Sequence, residues 1–315
     1  MKISNVILRN ARQFGTIAVF AVLCAAISLL TPHFLTVANL FNVAQQTVIN
    51  AIVAVGLTFV IISAGIDLSV GSILAFAGVV MASALRSGWP LPVAIVAGVS
   101  IGVLCGVVNG LLIAYGRLPP FIATLGMMSV ARGGALLTTA GRPVSDFGES
   151  FRWIATGEVA GLPVPVILML MVYVVAHFVL RRTKFGRYVY AIGGNKEAAV
   201  LSGVPVARYK VGIYAICGGL AAVAAILLTA RLNSAQPIAG LGYELDAIAA
   251  TVIGGTSLMG GQGSMVGTLI GALIMGVLRN GLNLLGVSSF IQQVVIGAVI
   301  IVAVLLDTLI KHQKR

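Results

Sequence analysis

Charge is what this chain has least of. Asp, Glu, Lys and Arg make up only 9% of 315 residues, and Asp67 is the one acidic residue before Asp146. A soluble domain carries about a quarter charged residues, so a solvated surface of ordinary size is excluded. Cysteine is scarce too. Cys24, Cys105 and Cys217 each sit inside an apolar run with no paired spacing, which supports neither a disulfide framework nor a zinc site. His33, His177 and His312 are scattered singly, so neither a metal site nor a cofactor is expected. No G-x-x-x-x-G-K-[ST] occurs, and the chain has no P-loop with which to bind ATP.

What is present is apolar sequence. Hydrophobic residues reach 59% and the mean hydropathy is +1.08. Runs of about 18 to 24 apolar residues recur, each able to cross a bilayer core of about 30 Å as a helix. The fold class expected is all-α: a polytopic membrane protein forming one transmembrane domain over 1–315. Ten spans are predicted, at roughly 13–31, 46–64, 70–87, 91–115, 120–140, 163–181, 207–231, 244–258, 264–285 and 287–308. Pro and Gly mark most gaps, as in "SGWPLP", "GRLPP" and "GGQGS". The basic start resembles a signal peptide, but its apolar run is long and more spans follow, so it reads as a retained first span.

The net charge of +12 would point to nucleic acid in a soluble protein. Here the charges fall in short loops, where membrane orientation explains them and no nucleic-acid partner is implied. With the N-terminus inside, 14 basic residues lie on the inner side and four on the outer. Both termini are therefore expected in the cytoplasm. Glycine at every fourth position, Gly98 to Gly110 and Gly263 to Gly271, predicts seams of close helix packing.

A weak repeat links "NGLLIAYGRLPPFI" from Asn109 to "NGLNLLGVSSFI" from Asn280, and "GIDLSVGS" around Asp67 to "GYELDAIA" around Glu244 and Asp246. It would pair spans 2–5 with 7–10 as inverted copies, a design common in transporters. The alternative is chance recurrence of Asn-Gly-Leu in Leu- and Gly-rich sequence.

Polar side chains inside spans are costly and draw attention. Asn42, Gln46 and Asn50 form an i, i+4, i+8 stripe, and Asn280 and Asn283 lie i, i+3. These line a substrate pathway or make interhelical packing bonds. Asp67 sits in a Gly-rich break, where it either lines the pathway or caps the third span. "GVSIG" from Gly98 fits a hydrolase elbow and "GGQGSMVG" a dinucleotide loop, but neither has the strand context those motifs need.

The segment 181–210 differs from the rest. It holds seven basic residues and the helix-forming "NKEAAVLSG", with Asn195 as N-cap and Gly203 at the C-cap. Positive-inside bias explains the charges; a docking knob for a cytosolic partner explains the alanine-centred helix too. With "LFNVAQQTVINAI", "SAGIDLSVGS", "FGRYVYAIGGNKEAAVLSGV", "GYELDAIAATVIGGTSLMGG" and "NGLNLLGVSS", the chain resembles the permease subunit of bacterial ABC importers for simple sugars, nearest the ribose group. The resemblance implies transport across the cytoplasmic membrane and no enzymatic activity. It implies a second copy of the chain, a cytosolic ATPase with two nucleotide sites, and an extracytoplasmic sugar-binding protein. It also implies that Asn195, Lys196, Glu197, Ala198, Ala199 and Gly203 form the ATPase-coupling helix. The competing expectation is an ion-coupled secondary transporter using Asp67.

Overall fold

The computed structural model describes residues 2–312, with side chains described for 15–302, 304 and 305. Lys314 and Arg315, which entered the charge count, lie outside it, as do the side chains of Lys2, Arg9, Arg12 and Lys311. The fold is all-α. In chain order the helices are α1 (Lys2–Leu30), α2 (Val37–Ile62), α3 (Val70–Arg86), α4 (Leu91–Ala114), α5 (Pro120–Thr139), α6 (Glu149–Thr156), α7 (Val164–Arg182), α8 (Lys184–Gly194), α9 (Lys196–Leu201), α10 (Val206–Leu232), α11 (Tyr243–Ile253), α12 (Met265–Leu284) and α13 (Ser289–His312). Among the described residues, four two-residue strands pair outside them. β1 (Val144–Ser145) joins β4 (Ser234–Ala235), and β2 (Glu158–Val159) joins β3 (Leu162–Pro163).

Each predicted apolar run lies on a helix, but helix length divides them. Among the described residues six helices, α2, α4, α5, α7, α10 and α12, are long and apolar enough to cross a membrane. The chain is a polytopic helical membrane protein. At 1.5 Å per residue, the 11 residues of α11 reach only about 16 Å, too short for a bilayer core.

Local chemistry sets the helix ends. Thr36 caps α2 by accepting from Asn39 N, so α2 starts nine residues before the predicted second span. Pro opens α4, α5 and α7 in the first helical turn, where its missing N–H costs nothing. α11 stops at Ile253 because Gly254 and Gly255 follow, the latter at φ +86°. The predicted run to 258 is therefore turn at its end. Two amphipathic helices escaped prediction: α6 in the 141–162 loop, and α8, which buries Gly186, Val189, Ile192 and Gly193 on one face.

α2 is the axis of the core. It is buried on nearly every side from Val48 to Ile62 and packs against α7, α10, α11 and α12. The glycine seams work as spacing predicts. Gly102, Gly106 and Gly110 of α4 lie against the backbone of α10 at Gly218, Tyr214 and Val211. Gly267 and Gly271 of α12 lie against Gly254 and against Ala250 of α11. No side chain larger than hydrogen fits at these crossings, which lets the backbones approach and maximises dispersion contact where lipid offers no hydrophobic gain.

Candidate functional site

The basic segment folds into a projecting knob. α9 begins where Asn195 Oδ1 accepts from the backbone N–H of Ala198 at 2.9 Å. It ends in a Schellman motif: Val204 N donates to Ala199 O, Gly203 N donates to Val200 O, and Gly203 takes φ +78°. Ala199 alone faces inward, packed with Ile192, Val204 and Val206. Asn195, Lys196, Glu197, Ala198 and Gly203 are exposed, and Leu201 is 89% exposed at the tip.

The knob stands on a rigid base. Tyr188 and Tyr209 meet edge to face with centroids 4.8 Å apart, and Phe185 lies against Tyr209. Gly193 at the end of α8 presses on the Ile62 carbonyl, and Gly261 N donates to that same carbonyl at 2.8 Å. Tyr190 Oη donates to Gly263 O at 2.7 Å. Lys210 Nζ, buried, donates to the backbone and hydroxyl oxygens of Ser63. α8 and the start of α10 therefore bind the knob directly to the end of α2 and to the 254–264 turns. Hydropathy gave no sign of these contacts, since glycine and carbonyl carry no sequence signature.

The polar residues within the helices separate into distinct places. Asp67, fully buried, accepts from the N–H and the hydroxyl of Ser69, at 2.9 and 2.5 Å. Asn109 Nδ2 donates to that hydroxyl at 2.9 Å. Of the two readings of Asp67, pathway lining or cap of the third span, the cap is corrected: Ser69 is the residue before α3, and the Asp67 carboxylate holds its N–H as an Asx-turn within the loop rather than an N–H of the helix.

Asn50 Nδ2 donates to Asp246 Oδ2 at 3.2 Å, and Arg279 pairs with the same oxygen at 2.5 Å. One cluster thus joins α2, α11 and α12. Asn280 meets Asn39 instead. The two amides exchange a pair of hydrogen bonds, each 2.9 Å, between α12 and α2. Asn39 lay just outside the stripe read from the sequence. Asn42 and Gln46 are exposed on α2, and exposed Asn283 accepts from Gln292 Nε2 at 2.7 Å. The structure brings Asn50 to Asp246 and Arg279 and leaves Asp67 and Asn280 elsewhere. Arg132 donates to the Pro237 and Ala239 carbonyls, both at 2.7 Å, tying the segment before α11 to α5. Among the described residues no group of His, Cys, Asp or Glu that could hold a metal is present.

Residues 39–304 match the family described as the permease component of branched-chain amino acid transport systems, and the chain belongs to that family. It is a transport subunit rather than an enzyme. Among its relatives, the ribose import permease protein RbsC of Escherichia coli (strain K12) is 52% identical over 290 residues, 91% of this chain and 90% of that one. The protein of the same name from Bacillus subtilis (strain 168) is 51% identical over 298 residues, 94% and 92% of the two chains. The D-allose transport system permease protein AlsC of Escherichia coli (strain K12) is 41% identical over 300 residues, 95% and 92%. No solved structure matches the chain.

Proposed function

We propose that this chain is the membrane permease of an ATP-driven importer for ribose or a closely similar monosaccharide. The observation that carries this reading is the 52% identity to a ribose import permease over nine-tenths of both chains, against 41% to a D-allose permease. The chain works with a cytosolic ATPase bearing two nucleotide sites, an extracytoplasmic sugar-binding protein and a second copy of itself. It sits in the bacterial cytoplasmic membrane as one domain over 1–315, with ten spans and both termini in the cytoplasm. The shorter α3 and α11 count among the ten as interior helices shielded by longer neighbours.

The spans form two inverted halves, α2–α5 and α10–α13. The packing supports this, because neighbours recur in matched pairs. α3 packs on α10 as α11 packs on α2; α4 packs on α10 as α12 packs on α2; α3 meets α4 as α11 meets α12.

α9, within the 181–210 loop, is the coupling helix. Its exposed residues seat in the ATPase, and its base on α8 carries the motion to the end of α2. Asn42, Gln46 and Asn50 line the route on one face of α2, where lipid would tolerate amides poorly. The test is uptake of labelled ribose by vesicles holding the purified permease, its ATPase and its binding protein. ATP should drive uptake with no ion gradient. Uptake that needs a gradient and ignores ATP defeats the proposal.

A further inference from the structure

The cluster of Asn50, Asp246 and Arg279 has hydrogen-bonding capacity left over. Both donors converge on a single carboxylate oxygen, Asp246 Oδ2. Asn50 Oδ1 and Arg279 Nε, both closed off from solvent, have no partner. One is an acceptor and the other a donor. Leaving either unmet in a buried site costs free energy, so the pair offers one acceptor and one donor to a polar group that meets both. The two unmet atoms are covered, but the cluster borders the surface: Asp246 is 4% exposed and the Arg279 side chain 42%. Tyr243 lies one turn before Asp246 on α11 and is half-buried, on the same helical face.

We infer that this cluster is a contact site for the hydroxyl groups of an uncharged sugar on its way through the permease, a role resting on the sugar reading above. A sugar hydroxyl donates and accepts at once. It gives its proton to Asn50 Oδ1 and takes a hydrogen bond from Arg279 Nε, while Arg279 Nη2 stays on Asp246. The Tyr243 ring supplies an apolar surface for the C–H face of the sugar. The ion pair neutralises itself, so the site holds no net charge with which to trap a neutral molecule in transit. An aliphatic side chain has nothing to offer either unmet atom, and a zwitterion would have to break the Arg279–Asp246 pair. The site therefore favours a polyhydroxylated substrate over an amino acid, which bears on a family described by amino-acid transport.

The experiment uses the complete importer in vesicles, with one binding protein throughout, and labelled ribose and its monodeoxy analogues as substrates. Initial uptake rates give a ribose-to-deoxy ratio for each analogue. Arg279→Lys keeps a cation for Asp246 and removes Nε; Asn50→Ser removes the amide and keeps a small polar group. In each variant the ratio for at least one analogue should shift toward unity by about fivefold, the worth of one lost hydrogen bond. The binding protein's own preference cancels, because it is common to wild type and variants. A purely structural role would lower every rate and leave every ratio unchanged, and that outcome in both variants overturns the site. If either variant fails to assemble, the ratios from the other decide. Should both fail, Arg279→Gln, which keeps an N–H donor for Asp246 and also lacks Nε, is read in the same way, and unchanged ratios there overturn the site. Wild type that imports ribose but shows unchanged variant ratios defeats the contact site alone; wild type that imports no pentose defeats the sugar reading as well.

Discussion

Gly71 and Gly240 touch backbone to backbone. A Cβ on Gly240 would stand 2.5 Å from the carbonyl oxygen of Gly71, and one on Gly71 would strike the carbonyl oxygen of Gly240. The contact locks the start of α3 to the segment before α11, so the breaks of the two halves meet. Overpacking a fitted contact costs about 1–3 kcal/mol. Gly71→Ala should destabilise the detergent-solubilised protein by that much, read as a lower unfolding midpoint. Gly240→Ala should do worse, because Gly240 holds φ +72° and a left-handed backbone costs an alanine about 1–2 kcal/mol more. Gly126→Ala, with open space around it, is the matched control. Equal midpoints for Gly71→Ala and Gly126→Ala would show that the contact yields easily.

The Asn39–Asn280 pair makes a prediction of a different kind. Removing Asn39 takes both bonds from the Asn280 amide; removing Asn280 frees the Asn39 carbonyl oxygen, while Asn39 Nδ2 keeps its bond to the Phe34 carbonyl. Asn39→Leu and Asn280→Leu should each destabilise the protein by about 0.6–2 kcal/mol, the range for interhelical polar contacts in membranes. The double variant should lose less than the sum, since no orphan remains. Strict additivity in a double-mutant cycle would mean that the two amides act separately. Because Asn280 is satisfied here, either single variant should cost more in assembled protein than in sugar specificity.

On α9, neighbouring alanines should behave oppositely. Ala198 is exposed and Ala199 is 4% exposed against Ile192 and Val206. Ala198→Trp should leave the permease at normal levels in the membrane while reducing co-purified ATPase about tenfold, the effect of about 1.4 kcal/mol on binding. Glu197→Lys should weaken the same association. Ala199→Trp should instead disturb the knob and lower the amount of folded protein. Wild-type transport by both Ala198→Trp and Glu197→Lys would remove α9 as the transmission element.

Orientation is open to direct labelling. Ser202 and Ser150 are both exposed, one beside α9 and one on α6. In a background with Cys24, Cys105 and Cys217 replaced, a cysteine at Ser150 should react with an impermeant thiol reagent added to intact cells. A cysteine at Ser202 should react only after the membrane is opened. Labelling of both in intact cells would overturn the arrangement drawn from the 14-to-4 distribution of basic residues.

The polar stripe on α2 gives the last expectation. Gln46→Leu and Asn42→Leu touch exposed positions and should leave assembly unchanged. If the stripe lines the sugar route, uptake should fall severalfold at constant complex. Equal loss of uptake and of assembled complex would assign both amides to a packing interface instead.

By itself the sequence determined the class and the raw layout of this protein. Hydropathy is a property of consecutive residues, so apolar runs, their interruptions and the 14-to-4 charge split are visible without any contact. The caps at Asn195 and Gly203 were equally legible, because capping is settled within four or five residues. Glycine at every fourth position showed that close crossings exist, though not which helices cross. The tertiary structure decided the rest. It separated Asn50 from Asp67 and Asn280, drew Asp246 and Arg279 to Asn50, and set Asn39 against Asn280. It turned the Asp67 carboxylate onto Ser69 and seated Gly193 on Ile62. Each of these joins positions whose pairing depends on where several helices end and how closely their backbones approach. α6 and α8 stayed hidden for a related reason: their amphipathic faces are short, and only the surfaces they cover give them a reason to form.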